Sequence, residues 1–167
     1  MKITAVRASW LRAVIPAERA HVSDFGRNDS FNTCLVEIDT DAGHTGLGEA
    51  KVGAGNLGNY APTVATVESE LAPVLVGRDP RDITTLWEAM YNGTRAHYVE
   101  RAGRSFPIIG RRGVTVSAMS GVDIALWDLL GKSLGQPLWR LLGGRFRDKI
   151  PAYASGGGTS NCSARSA

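Results

Sequence analysis

One stretch constrains the fold of this chain more than any other: Val116 to Gly144, VSAMSGVDIALWDLLGKSLGQPLWRLLGG. Met119, Val122, Leu126 and Leu129 recur there at steps of three, four and three, the spacing that lines side chains along one helical face. Ile124, Trp127 and Leu130 widen that stripe, and Ser120, Asp123 and Asp128 interrupt it. The pattern predicts a helix covered on more than one side, acting as a partition between layers. Lys132 suits its last turn, Gly135 a left-handed residue just past it, and Pro137 the first position of a second helix. That second helix carries Leu138, Trp139, Leu141 and Leu142, and Gly143-Gly144 stops it.

The chain must supply layers to meet such a helix. With 167 residues, 43% hydrophobic and 21% charged, it has the material for one domain with a core. Lys2 to Ile15 reads as a strand, with Ile3, Ala5, Trp10 and Val14 as its apolar side, ended by Pro16. Ala17 to Ser30 sets seven polar or charged side chains around Phe25, a polar loop longer than a connector needs. Phe31 to Asp39 reads as a second strand with Leu35 and Cys34 inward. Asp41-Ala42-Gly43-His44 is a hairpin turn, and Thr45 to Ala50 returns as a third strand.

Lys51 to Asn59 is glycine-rich, and a helix is expected from about Pro62, with Val64, Val67 and Leu71 inward and Pro73 ending the pattern within a turn or two. Asp79 and Pro80 suit the cap and first position of the next helix, buried through Ile83, Leu86, Trp87 and Met90. Tyr91 to Thr115 is poorly patterned, with Arg95, Arg101, Arg104, Arg111 and Arg112 against one acid, Glu100. The expected fold class is α+β: a three-stranded antiparallel meander followed by a helical bundle.

The segment GVDIALWDLLGKSLGQPLWRLLGG resembles the enolase superfamily, and within it the mandelate racemase/muconate lactonizing enzyme group. Asp41-Ala42-Gly43 through Gly46-Leu47-Gly48-Glu49-Ala50, and Leu75-Val76-Gly77-Arg78-Asp79-Pro80 ahead of Leu86-Trp87, extend the likeness. The resemblance implies an N-terminal capping domain over residues 1–147 and the first strand of a (β/α) barrel over 148–155. An unpatterned tail follows over 156–167. It also implies proton abstraction next to a carboxylate, with the resulting enediolate held by Mg²⁺. In the family, carboxylates at successive barrel strands hold the metal and Lys or His residues are the bases, all of which would lie beyond residue 167.

The residues agree with a cap lacking that chemistry. The lysines are Lys2, Lys51, Lys132 and Lys149, with no Lys-x-Lys pair. Asp123 and Asp128 are five apart on a helix, about 140° around its axis, so they cannot share a ligand. No catalytic residue and no metal ligand is assigned, and the short chain alone is expected to be inactive. In the family two capping loops close over the substrate, and here they match Ala17–Ser30 and Lys51–Asn59. Arg19, His21 and Lys51 are the candidate substrate-binding residues, suited to a carboxylate or the hydroxyls of a sugar acid. Tyr60, Glu49 and His44 read as structural.

Rival readings have weaker support. Gly53, Gly55 and Gly58 spell G-x-G-x-x-G after a strand, with Asp79 further on. The preceding strand is glycine-rich and the return arm of a hairpin, unlike the buried parallel strand of a dinucleotide site. The arginines between Arg95 and Arg112 lack a stacking platform, and a net charge of +3 is mild, so nucleic acid is not expected. Cys34 and Cys162 make no disulfide framework, and no leader or long apolar run is evident, so a cytoplasmic protein without a membrane partner is expected. Two descriptions remain: a truncated or frame-shifted piece of a racemase, cycloisomerase or sugar-acid dehydratase, or a free-standing binding or assembly module. Apolar surface meant for the missing barrel would favour homo-oligomers.

Overall fold

The computed structural model describes residues 1–23, 26–52, 58–92 and 111–152, without the side chains of residues 21 and 23. Strands β1 (Ile3–Val14), β4 (Ser30–Thr40) and β5 (Thr45–Ala50) form an antiparallel sheet in the order β1-β4-β5. Between the first two, β2 (His21–Ser23) and β3 (Gly26–Asn28) make a separate two-stranded ribbon. Helices α1 (Ala61–Thr66) and α2 (Ala72–Leu75) are joined by a π-turn over Val67–Leu71; α3 (Ile83–Asn92) and the long α4 (Val114–Leu134) follow. A last helical turn, α5, spans Leu138–Leu141. The fold is α+β, an antiparallel sheet with helices on one face.

Helix α4 is the centre of the molecule. Met119, Val122, Leu126 and Leu129, the stripe read from the sequence, are all buried. It lies across β4 and β5 and also touches α1 and α3. Ile124 is the member of the widened stripe left outside, 46% exposed, while Trp127 and Leu130 pack half-buried against the core. The approach of α4 to the sheet requires glycine. A Cβ on Gly48 would run into the carbonyl oxygen of Gly121 and lie 2.8 Å from the backbone nitrogen of Ala125. One on Gly121 would lie 2.8 Å from the Ala50 methyl. By length and composition α4 is also the described helix that could cross a membrane, with a mean hydropathy of 1.3. No apolar run of that length was expected from the sequence, because Asp123, Asp128 and Lys132 divide it.

Several local expectations need correction. In β1 the inward residues are Ile3, Val6 and Ala8, because an irregularity between Ile3 and Ala5 switches the alternation. Trp10 and Val14 continue the inward phase but run past the helices and are 42% and 73% exposed. In β4 the even positions Cys34, Val36 and Ile38 are fully buried, and Leu35 lies on the opposite, outer face. The polar segment 17–30 is not an open loop: it holds a 3₁₀ turn (Ala17–Arg19) and the β2–β3 ribbon. The helix ends at Leu75, within a turn of Pro73, as expected. The π-turn, with Ala72 N–H donating to Val67 C=O, shifts the backbone ladder just ahead of that proline.

Helix α3 begins at Ile83, later than expected, since Asp79 caps a separate turn by accepting from Arg81 N–H at 3.0 Å. Trp87 is half-exposed and stacks on Tyr91 at 4.9 Å between centroids. Gly135 does take the left-handed conformation after α4, at φ 59° and ψ 32°. Pro137 caps α5 from outside rather than opening it. Residues 148–152 carry no strand pairing, and 153–167 lie outside the described residues, as do 93–110 with Arg95, Arg101 and Arg104.

Candidate functional site

At one end of the sheet β1 and β4 outrun β5. β5 pairs with Cys34–Asp39 of β4 only, whereas β1 and β4 pair on to Val14 and Ser30. The last four residue pairs, from Leu11–Thr33 to Val14–Ser30, therefore form a two-stranded arm beyond β5. Segment 15–29 leaves and returns at the tip of this arm, and segment 51–59 leaves from the end of β5 at the same end of the sheet. The two candidate loops thus share one end of the fold, as their order along a meander requires.

Arg19 closes the 3₁₀ turn and is exposed. That turn is held from below by Arg27, whose Nη2 donates to Ala17 C=O at 3.3 Å. His21 opens β2, its backbone opposite Asn28. Lys51 follows the last residue of β5 and is exposed. Arg19 and Lys51 make no described contact with each other, and the backbone places all three residues toward one end of the sheet. Of the G-x-G-x-x-G segment, 53–57 lie outside the described residues. The strand before it, β5, is an antiparallel edge strand, which is not the parallel setting of a dinucleotide site.

Beneath the arm runs a polar chain that sequence reading missed. Trp10 Nε1 donates to Asn32 Oδ1 at 2.9 Å, Asn32 Nδ2 to Ser30 Oγ at 3.1 Å, and Ser30 Oγ to Asp29 Oδ1 at 3.1 Å. It stitches β1 to the base of the hairpin. The signal was available: Trp10, Asn32 and Ser30 share the inward phase of their strands, where polar side chains need partners. Tyr60 is fully buried, with its ring 6.3 Å from that of Trp10. Its hydroxyl and that of Thr63 have no hydrogen-bond partner among the described residues. Glu49 is a tie, accepting from the Thr33 hydroxyl at 2.7 Å. His44 lies in the turn, where its backbone N–H donates to Thr40 Oγ1. Both take part in bonds that tie the hairpin together.

Charged groups elsewhere serve the scaffold. Asp128 accepts from Leu47 N–H at 2.8 Å and pairs with Lys132, 2.7 Å away. These two line a cavity between α4 and α5, so its charges are already engaged. Burial pushes the Asp123 carboxyl above the ordinary range. Burial, and then the Glu68 carboxylate, push the Cys34 thiol up, which leaves it a poor nucleophile. Among the described residues no three His, Cys, Asp or Glu side chains converge as metal ligands would. The described residues do not fit a magnesium ion.

Comparison with known proteins follows the same lines. The model of the mandelate racemase / muconate lactonizing enzyme N-terminal domain matches residues 7–143. The chain is 39% identical over 158 residues to the D-galactarolactone cycloisomerase of Agrobacterium fabrum (strain C58), covering 93% of this chain and 36% of that protein. It is 42% identical over 126 residues to the D-galactonate dehydratase of Klebsiella pneumoniae (strain 342), covering 74% and 28%. A solved enolase-superfamily member from Polaromonas sp. JS666 superposes with a TM-score of 0.72 at 30% identity, over 93% of this chain and 36% of that one. A racemase from Streptomyces coelicolor A3(2) with bound magnesium gives a TM-score of 0.65 at 35% identity, over 86% and 36%. The chain spans about a third of the length of the curated relatives it matches.

Proposed function

Because the chain belongs to the N-terminal domain family of mandelate racemase and muconate lactonizing enzyme, we propose that it is the substrate-capping part of an enzyme acting on a carboxylate, of the sugar-acid class. The reaction of the whole enzyme would be a racemisation, cycloisomerisation or dehydration begun by removing the proton next to the carboxylate. The observation that carries this reading is the arm: two loop segments bearing Arg19, His21 and Lys51 spring from the one end of the sheet where β1 and β4 run on past β5. A cap needs such an end, rigid at its base and cationic at its tip. The names of the cycloisomerase and dehydratase relatives support the substrate class.

This chain's share of the work is binding and exclusion of water. Arg19 and Lys51 would meet the anionic or hydroxylated part of the substrate, and the Trp10–Asn32–Ser30 chain would hold the hairpin base while they do. Proton removal and magnesium would belong to a barrel outside this chain. A cytoplasmic setting accords with the free, buried Cys34.

A chimera tests the reading: residues 1–152 replace the matching region of the Agrobacterium cycloisomerase. Turnover of its lactone is expected to persist. Arg19→Ala and Lys51→Ala should each raise KM about tenfold with a smaller change in kcat, the worth of one charge-assisted hydrogen bond. An active chimera in which Arg19, His21 and Lys51 can all become Ala without moving KM would refute these assignments.

A further inference from the structure

Before the arm is reached, both edges of the sheet are capped at several of their backbone groups. On β5, Leu47 N–H donates to Asp128 and Thr45 C=O accepts from Lys132 Nζ at 2.7 Å. On β1, Ile3 exchanges backbone bonds with Gly77 and Arg78, both 2.9 Å, and Ala8 N–H donates to Glu68 Oε1 at 3.3 Å. The bond from Ile15 N–H to Asp29 C=O, beside the Val14–Ser30 pair, fixes the phase of the ladder. Odd residues of β1 bond to β4, and even ones turn N–H and C=O outward. Trp10, Arg12 and Val14 therefore present an edge with no partner among the described residues. Around it Leu11 is 48% and Phe31 55% exposed. Such an edge is a template for another strand.

We propose that Trp10–Arg12 of β1 pairs antiparallel with the same stretch of a second copy, across a two-fold axis at Leu11. Only even residues can form hydrogen-bonded pairs on this edge, which leaves four central registers, and the one centred on Ala13 sets Arg12 opposite Val14 with no ring to meet it. Centring on Trp10 sets Arg12 against Ala8, whose N–H Glu68 already holds, so one hydrogen-bonded pair remains. Centring on Arg12 sets two guanidinium groups directly opposite each other, a repulsive cross-strand pair. Centring on Leu11 sets each Arg12 opposite the other copy's Trp10, twice over, in a cation–π arrangement. The indole is already fixed by Asn32. On the other face Leu11 meets Leu11 across the axis. This contact is isologous and closes at two copies.

The inference does not rest on the catalytic reading, and its test is cross-linking. Leu11→Cys, with Cys162 replaced by Ser, is expected to form a disulfide-linked dimer in air, since non-hydrogen-bonded partners stand about 4.5 Å apart at Cα. Arg12→Cys and Ala13→Cys should not. Arg12→Pro removes an outward N–H the fold does not use. It should leave the circular dichroism spectrum intact while turning a sedimenting dimer into a monomer. An unaltered chain that sediments as a monomer, cross-linking at position 12 or 13 in place of 11, or a dimer that survives Arg12→Pro would each overturn the proposal.

Discussion

The two ends of this sheet are built to opposite rules. Under α4, strands β4 and β5 meet a helix so closely that Gly46, Gly48 and Gly121 cannot carry a side chain, and the free edge of β5 is sealed by Asp128 and Lys132. In the arm, β1 and β4 run on past β5, and Leu11, Val14 and Phe31, like Trp10 just before it, stay exposed while Ser30 and Asn32 are buried. The covered end accounts for the stability of the domain. The arm carries its candidate recognition loops. A fold can separate these tasks only if its binding loops are rooted in strands that the core has already fixed. β1 and β4 do this by extending past the core without changing register.

Substitutions at each end break or sharpen the contrast. The largest effect is expected from Gly48→Ala. Its methyl would meet backbone, which cannot rotate away, so α4 and β5 must separate at a cost of about 3 kcal/mol in urea unfolding. A loss under about 0.5 kcal/mol would mean the helix is not seated as described. A smaller loss, about 1 kcal/mol, is expected for Asp128→Ala, which strips a partner from Leu47 N–H and Lys132 together. Amide exchange should then quicken at Leu47 and not in β1.

The smallest effect concerns pH. The bond from Arg7, then that from the Thr45 hydroxyl, holds the Asp39 carboxyl below the usual range. Its contribution is therefore present above the unfolded-state value and lost as pH falls through the folded one. Asp39→Asn should flatten the acid limb of the stability curve and leave the limb near neutrality unchanged. An unchanged acid limb would show that the Arg7 pair is too solvated to count.

The covered end was legible in the sequence because its signals are long. The four-residue stripe of α4 and the Asp41–His44 turn specify a helix over a hairpin, and Gly135 marks where the helix stops. Short-range features were not legible. The irregularity after Ile3 switches the inward phase of β1 without any glycine or proline to mark it. β2 and β3 have three residues each, too few for a period. The π-turn before Pro73 depends on the whole helix staying packed. Asp128 read as an interruption of an apolar face and Lys132 as a last-turn residue, whereas both bond the edge of a strand far away in the chain. Gly46 and Gly48 read only as a glycine-rich strand, although alternate glycines on one strand face are also the sign of a close backbone approach. Arg19 and Lys51 could be chosen by charge and loop, but their grouping at one end follows only from the meander.

The central claim is that this chain supplies a cap and that proton abstraction belongs elsewhere. Proton NMR in D₂O tests it directly, by following exchange of the hydrogen next to the carboxylate of D-galactonate in the presence of the purified chain and Mg²⁺. The account predicts an exchange rate no greater than with Mg²⁺ alone. Exchange that rises in proportion to the chain, with Mg²⁺ bound at one equivalent, would contradict it.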